Sequence, residues 1–190
     1  MTIQRALLLL LFITVLAGCA SNPQMKDTAT LPFGQGVMVA RLAIPYLAQP
    51  GHLKTTISVA NFYDNKVAGE PIELHNGETF LVLPLPAGTY MWEDFRIGSY
   101  KSEWGHAPMH FNIVAGKINY VGDITVQMTQ DSRFTVGYMP GYRADVHVYD
   151  YGNVFLPRIA AAYPQLWANY PVAVSITSEP DYRFLRSEAR

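Results

Sequence analysis

Ile118-Asn119-Tyr120-Val121-Gly122-Asp123-Ile124-Thr125-Val126-Gln127-Met128 decides the fold class. Read with period two, it puts Ile118, Tyr120, Gly122, Ile124, Val126 and Met128 on one face. Asn119, Val121, Asp123, Thr125 and Gln127 fall on the other. Such alternation predicts a long strand with one buried face and one mostly wet face. A helix would instead need apolar residues three and four apart.

The same period extends in both directions. Residues 133–139 carry Phe134, Val136 and Tyr138 at inward positions, and 143–149 carry Ala144, Val146 and Val148. Further strands are expected at 37–44, 55–63, 80–85, 90–97, 110–114 and 172–177. Asp64-Asn65 and Asn76-Gly77 are tight-turn signals between them. Ala87-Gly88 and Ala115-Gly116 precede strands in similar contexts. Eight or nine short strands with regular turns predict an all-β sandwich or barrel.

One segment departs from this period. Phe155 to Tyr163 reads as a short helix near the C-terminus, with Pro157 in its first turn and Pro164 as its stop. Leu156, Ile159, Ala160 and Tyr163 form its apolar stripe. That stripe is expected to cover an open end or edge of the sandwich.

A resemblance emerges from two of these runs. Leu85-Pro86-Ala87-Gly88-Thr89-Tyr90, followed by Phe111-Asn112-Ile113-Val114-Ala115-Gly116-Lys117-Ile118-Asn119-Tyr120-Val121-Gly122-Asp123-Ile124, resembles a pattern in uncharacterised bacterial lipoproteins. Their core is similar to transthyretin-like or carboxypeptidase-regulatory-like β-sandwiches. The likeness covers roughly residues 80–128 and consists of strands and turn glycines. It implies a Greek-key sandwich and carries no catalytic residue.

The N-terminus supplies an address. Arg5 precedes the apolar run Ala6 to Ala17, whose 12 residues suit a signal-peptide core and are short for the ~30 Å hydrocarbon layer. The run ends in Leu16-Ala17-Gly18-Cys19, which resembles the lipobox of bacterial lipoproteins. That resemblance implies cleavage after residue 18 and acylation of Cys19, the single cysteine of the chain. Residues 1–18 are then the signal peptide. Residues 19–30 are expected to be a lipidated flexible tether, and 31–190 a single β-sandwich domain. The polar segment 20–30 would span roughly 18 Å as a random coil. Ala20 and Ser21 follow the cysteine where an aspartate would hold an enteric lipoprotein at the inner membrane. By resemblance the address is therefore the outer membrane.

The 190 residues carry a formal net charge of −1, with 49% hydrophobic and 15% charged residues. This composition predicts a folded chain, and nothing in it calls for a nucleic-acid partner. Removing residues 1–18 takes away one basic residue and leaves −2. One cysteine excludes an intramolecular disulfide framework.

Catalytic signatures are missing from the sequence. It holds no G-x-S-x-G elbow and no H-E-x-x-H. Gly34-Gln35-Gly36 precedes a strand and so does not match a dinucleotide loop. Glu93 and Asp94 are adjacent on an expected strand and point to opposite faces. His106, Met109 and His110 would be soft ligands for copper, but Pro108 argues against the helix that would gather the two histidines. No metal, no cofactor and no enzymatic activity are expected.

Binding chemistry is better represented. Residues 98–108 are expected to form a connection between strands, not a strand. They hold Tyr100, Lys101, Trp104 and His106, a mixture of aromatic anchors and polar groups that suits a modest binding loop. Trp104 reads more readily as a lid over the sandwich end. Tyr138, Tyr142, Tyr149, Tyr151, Phe155 and Tyr163 form a second aromatic concentration, either a glycan-stacking rim or a closure of the sandwich. The expected function is a lipid-anchored envelope module with a protein partner. The alternative is a ligand-binding lipoprotein that takes a glycan or peptide at the Trp104 loop or the tyrosine rim.

Overall fold

The computed structural model describes residues 24–45, 55–75, 77–97, 100–102, 109–136 and 139–178. Ten strands and two helices follow in order. They are β1 (Gln35–Ile44), β2 (Thr55–Asn61), β3 (Ile72–Glu73), β4 (Gly77–Pro86), β5 (Gly88–Ile97), β6 (Tyr100–Ser102), β7 (His110–Ile113), β8 (Ile118–Val136), β9 (Met139–Tyr149), α1 (Gly152–Ala162), α2 (Pro164–Asn169) and β10 (Val172–Val174). The mainly β class expected from the alternation is what forms.

Two sheets divide the strands. In the first, β1 lies between antiparallel β4 and parallel β8, and the far edge of β8 takes β10 and then β9. In the second, β2 lies between β3 and β5, and the far edge of β5 takes β6 and β7. The sheets bury a common core. Met38, Leu42 and Ile44 of β1, Leu81 and Leu83 of β4, and Ile124 and Val126 of β8 meet Ile57, Val59, Trp92 and Phe111 of the second sheet.

A second core lies on the other side of the first sheet. Val37 and Val39 of β1, Val82 of β4, and Ile118 and Tyr120 of β8 pack beneath Ile159 of α1 and Leu166 of α2. The helical stripe therefore covers a sheet face and not an open end, which corrects the expectation above. It also explains why β1 is buried on both faces and reads as a nearly unbroken apolar run.

The register of β8 departs from simple alternation. Ile118 and Tyr120 face the helices, whereas Ile124 and Val126 face the second sheet. Between them the pairing with β1 shifts, since Val39 opposes Tyr120 but Arg41 opposes Asp123. One extra residue on β8 makes a bulge, and Gly122 takes the positive φ of 106° within it. The expected single apolar face is thus split in two, and the expected wet face is not wet: Asn119, Val121 and Asp123 are all buried. Ile124 and Val126 do share a face as expected. Ile124→Ala should cost about 2–5 kcal/mol in a urea titration, because the side chain is fully enclosed.

Of the expected strand 133–139, residues 133–136 continue 118–128 as one long β8, whereas Met139 begins β9, which pairs antiparallel with it. Two helices replace the expected one. Pro157 lies within α1 instead of in its first turn, and Pro164 opens α2 at a position where a missing N–H costs nothing.

Residues 24–30, expected to belong to a flexible tether, are docked on the body, as is Leu31. Gln24 uses its carboxamide as a substitute strand: Nε2 donates to Phe80 O (2.7 Å) and Oε1 accepts from Val82 N (2.9 Å). Met25 N donates to Val82 O (2.7 Å), and the Met25 side chain is buried in the second core. Asp27 Oδ1 accepts from Gln165 N and Leu166 N (both 3.0 Å) and so caps α2. Tyr170 OH accepts from Leu31 N (3.0 Å). Pro84 and Pro86, at the next outward positions of β4, have no N–H to offer. The free edge of β4 is thereby closed over most of its length.

Candidate functional site

Of the expected binding loop, Tyr100 and Lys101 lie in β6, paired with Ile97 and Arg96 of β5. The segment is therefore not a plain connection. β5 ends at Ile97 and β6, antiparallel to it, begins at Tyr100, a spacing that sequence reading passed over. Trp104 and His106 lie outside the described residues, as does Cys19. Met109 is buried in the main core, while His110 is exposed with Nδ1 2.8 Å from Ser178 Oγ. Neighbours in sequence, these two point apart. Among the described residues, no three His, Cys, Asp or Glu side chains converge on a point where a metal could sit.

The densest polar cluster was not foreseen. Asp123, fully buried, accepts a hydrogen bond from Tyr120 OH and another from Tyr151 N (3.0 Å) through Oδ2. Its Oδ1 lies 3.8 Å from Arg41 Nη1 and has no closer partner. Arg41 bonds Glu78 Oε1 at 2.6 Å, and its guanidinium lies over the Phe155 ring at 4.1 Å. Arg158 of α1 reaches Glu78 Oε2 at 3.3 Å. Three strands and a helix are tied together here. Burial and the bond to Asp123 push the Tyr120 phenol well above its ordinary range. With neither Tyr120 nor Asp123 open to solvent, the pair cannot meet a substrate. The cluster is a structural staple for the helical layer.

The hydrogen bond from Arg41 holds the Glu78 carboxyl below its ordinary value, helped by Arg158. Its contribution to stability is therefore complete above the usual carboxylate range. It is lost as pH falls through the lowered folded value. Glu78→Gln should flatten the acid limb of a stability–pH profile by lowering the neutral region modestly, because Glu78 itself is exposed, and should leave stability at low pH unchanged.

Three surface features remain. Tyr149 and Tyr151 stack at 5.4 Å, both partly exposed, with the His147 ring 6.2 Å from Tyr149. Phe155 and Tyr163, assigned to the same rim, pack instead into the helical layer. The side chains of Tyr138 and Tyr142 lie outside those described. A cavity of about 350 Å³ opens between the Asn61–Glu70 loop and β4, with Leu83, Leu85 and Tyr90 on its walls and Asp64, Lys66 and Glu70 on its rim.

The third feature is one end of the sandwich. There the strand ends are stitched side by side. Ala87 N donates to Gly34 O (2.8 Å), Phe62 N to Thr89 O (3.0 Å), and Gly116 N to Gln35 O (2.8 Å). Phe33 is fully exposed on this end and Tyr63 is 81% exposed, with Phe62 and Val114 beside them in the joined loops.

No helix among the described residues is long and apolar enough to cross a membrane. No family model, curated protein or solved structure matches this chain.

Proposed function

We propose that the protein is a lipid-anchored envelope lipoprotein, held at the outer membrane through acylated Cys19. On this reading it acts as a non-enzymatic scaffold or interaction module for another envelope protein. The observation that carries the reading is Leu16-Ala17-Gly18-Cys19 at the end of an apolar run, with no other thiol in the chain. Two acyl chains suffice for stable attachment, because each buried CH₂ contributes about 0.8 kcal/mol. The Greek-key, transthyretin-like topology belongs to the same proposal. It is supported by the position of Leu85-Pro86-Ala87-Gly88, which carries the chain from the first sheet into the second.

A ligand-binding role at the tyrosine rim is the second reading. The partly exposed Tyr149–Tyr151 stack favours it, since such rings offer apolar area with a polar tip.

Cys19→Ser tests the anchor. Labelled palmitate should enter the parent chain and not the variant, and the variant should leave the membrane fraction. Equal labelling of both chains would overturn the proposal.

A further inference from the structure

We infer that the end of the sandwich bearing Phe33, Phe62, Tyr63 and Val114 rests on the lipid surface. The inference builds on the lipoprotein reading and adds an orientation to it.

The first argument is exposure. Phe33 sits in a turn closed by Gln35 N to Pro32 O (3.1 Å), with the neighbouring Gly34 bonded to Ala87. It is held out in water by fixed backbone instead of folding back. Burying such a ring removes a large apolar area from water. Tyr63 stands nearby on the Phe62 ring at 5.5 Å, edge to face. Phe and Tyr are residue types that enter the headgroup boundary.

The second argument is reach. The docked segment begins at Gln24, so only five peptide steps separate it from Cys19. They span at most about 18 Å. Gln24 is fixed beside Val82, and Val82 lies five residues from Ala87, about 17 Å along the strand. The acylated residue can therefore lie in the plane of this end, but cannot hold the body far above it.

The third argument is charge. Among the described residues, the loops of this end carry Lys66 and Lys117 against Asp64 and Glu70, a balanced set, whereas the chain as a whole is negative. An anionic lipid surface is thus opposed here less than elsewhere on the protein.

The test uses the chain from Cys19 onward, coupled through the Cys19 thiol to maleimide lipid in vesicles of phosphatidylethanolamine and phosphatidylglycerol. Phe33→Trp and Tyr63→Trp each add an emitter at the proposed contact, and Val154→Trp adds one on α1. Each is read against the parent chain. With brominated acyl chains, the added emission at 33 and 63 should be lost and that at 154 kept. Equal persistence at all three positions would overturn the inference. So would a dimer in sedimentation that Phe33→Ser abolishes, because the surface would then belong to a second copy. The mass of Cys19 in chain taken from native membranes is read separately. An unmodified cysteine would sink the lipoprotein reading, while the coupled vesicles still report on the surface.

Discussion

Asp123→Ala should lower the free energy of unfolding by about 3–5 kcal/mol, as expected when one partner of a buried charged network is removed. The aspartate is fully enclosed and serves three groups from different elements. Tyr120 OH and Tyr151 N would each lose their acceptor inside the protein, and unmet buried donors cost about 1–3 kcal/mol apiece. Arg41 keeps Glu78 at 2.6 Å but loses the buried second carboxylate 3.8 Å away. Asp123→Asn retains one acceptor oxygen and should recover part of the loss. Urea midpoints of the two variants give the comparison. A loss below about 1 kcal/mol for alanine would show that the helical layer does not depend on this staple.

Gly36→Ala should be as damaging, for a steric reason. A Cβ there would lie 2.3 Å from Val114 O and 2.7 Å from Asn119 Nδ2. The first is backbone and the second is fixed. Asn119 Oδ1 accepts from Val114 N (2.9 Å), and Nδ2 donates to the carbonyls of Lys117, Val114 and Val37 at 3.0, 3.1 and 3.3 Å. Neither can retreat without opening the turn that leads into β8. A cost of about 3 kcal/mol or more is expected. Gly34→Ala is the control. Its φ of +79° strains any side chain, but nothing lies within 4 Å. It should cost only about 1–2 kcal/mol. Denaturation of both separates a clash from backbone strain, and equal losses would refute the clash.

The strands were readable because period two survives in any sheet with a buried face. What defeated the reading of β8 was Gly122, which fits either face and so hides the bulge that reverses the register. The second core was hidden for a related reason. Val37 and Val39 look like continuation of one apolar run until helices are known to lie above them. The staple is built from residues 41, 78, 120, 123 and 158, which no local spacing connects. Asn119, taken for a wet position, is the hub of a buried turn. Residues 24–30 are polar in composition and read as linker. Met25 was the apolar signal there, and Asp27 a potential helix cap for a helix far along the chain. Of the binding loop, sequence supplied the residue types, while the antiparallel pairing of β6 with β5 needed its partner strand to be seen.

The pairing of distant segments has a consequence for the order of events in time. β1 finds its parallel neighbour β8 some eighty residues later, and Asp27 caps a helix 139 residues away. Gln24, Met25 and β1 meet β4 earlier, but one edge of β1 stays unpaired until β8 has been made, and Asp27 has no helix to cap until later still. Contacts of such separation delay folding. A nascent chain of this topology stays open while it lengthens, the state in which a polypeptide threads through a membrane pore. On the proposed lipoprotein reading, the late closure that slows folding is also what keeps the chain fit for export.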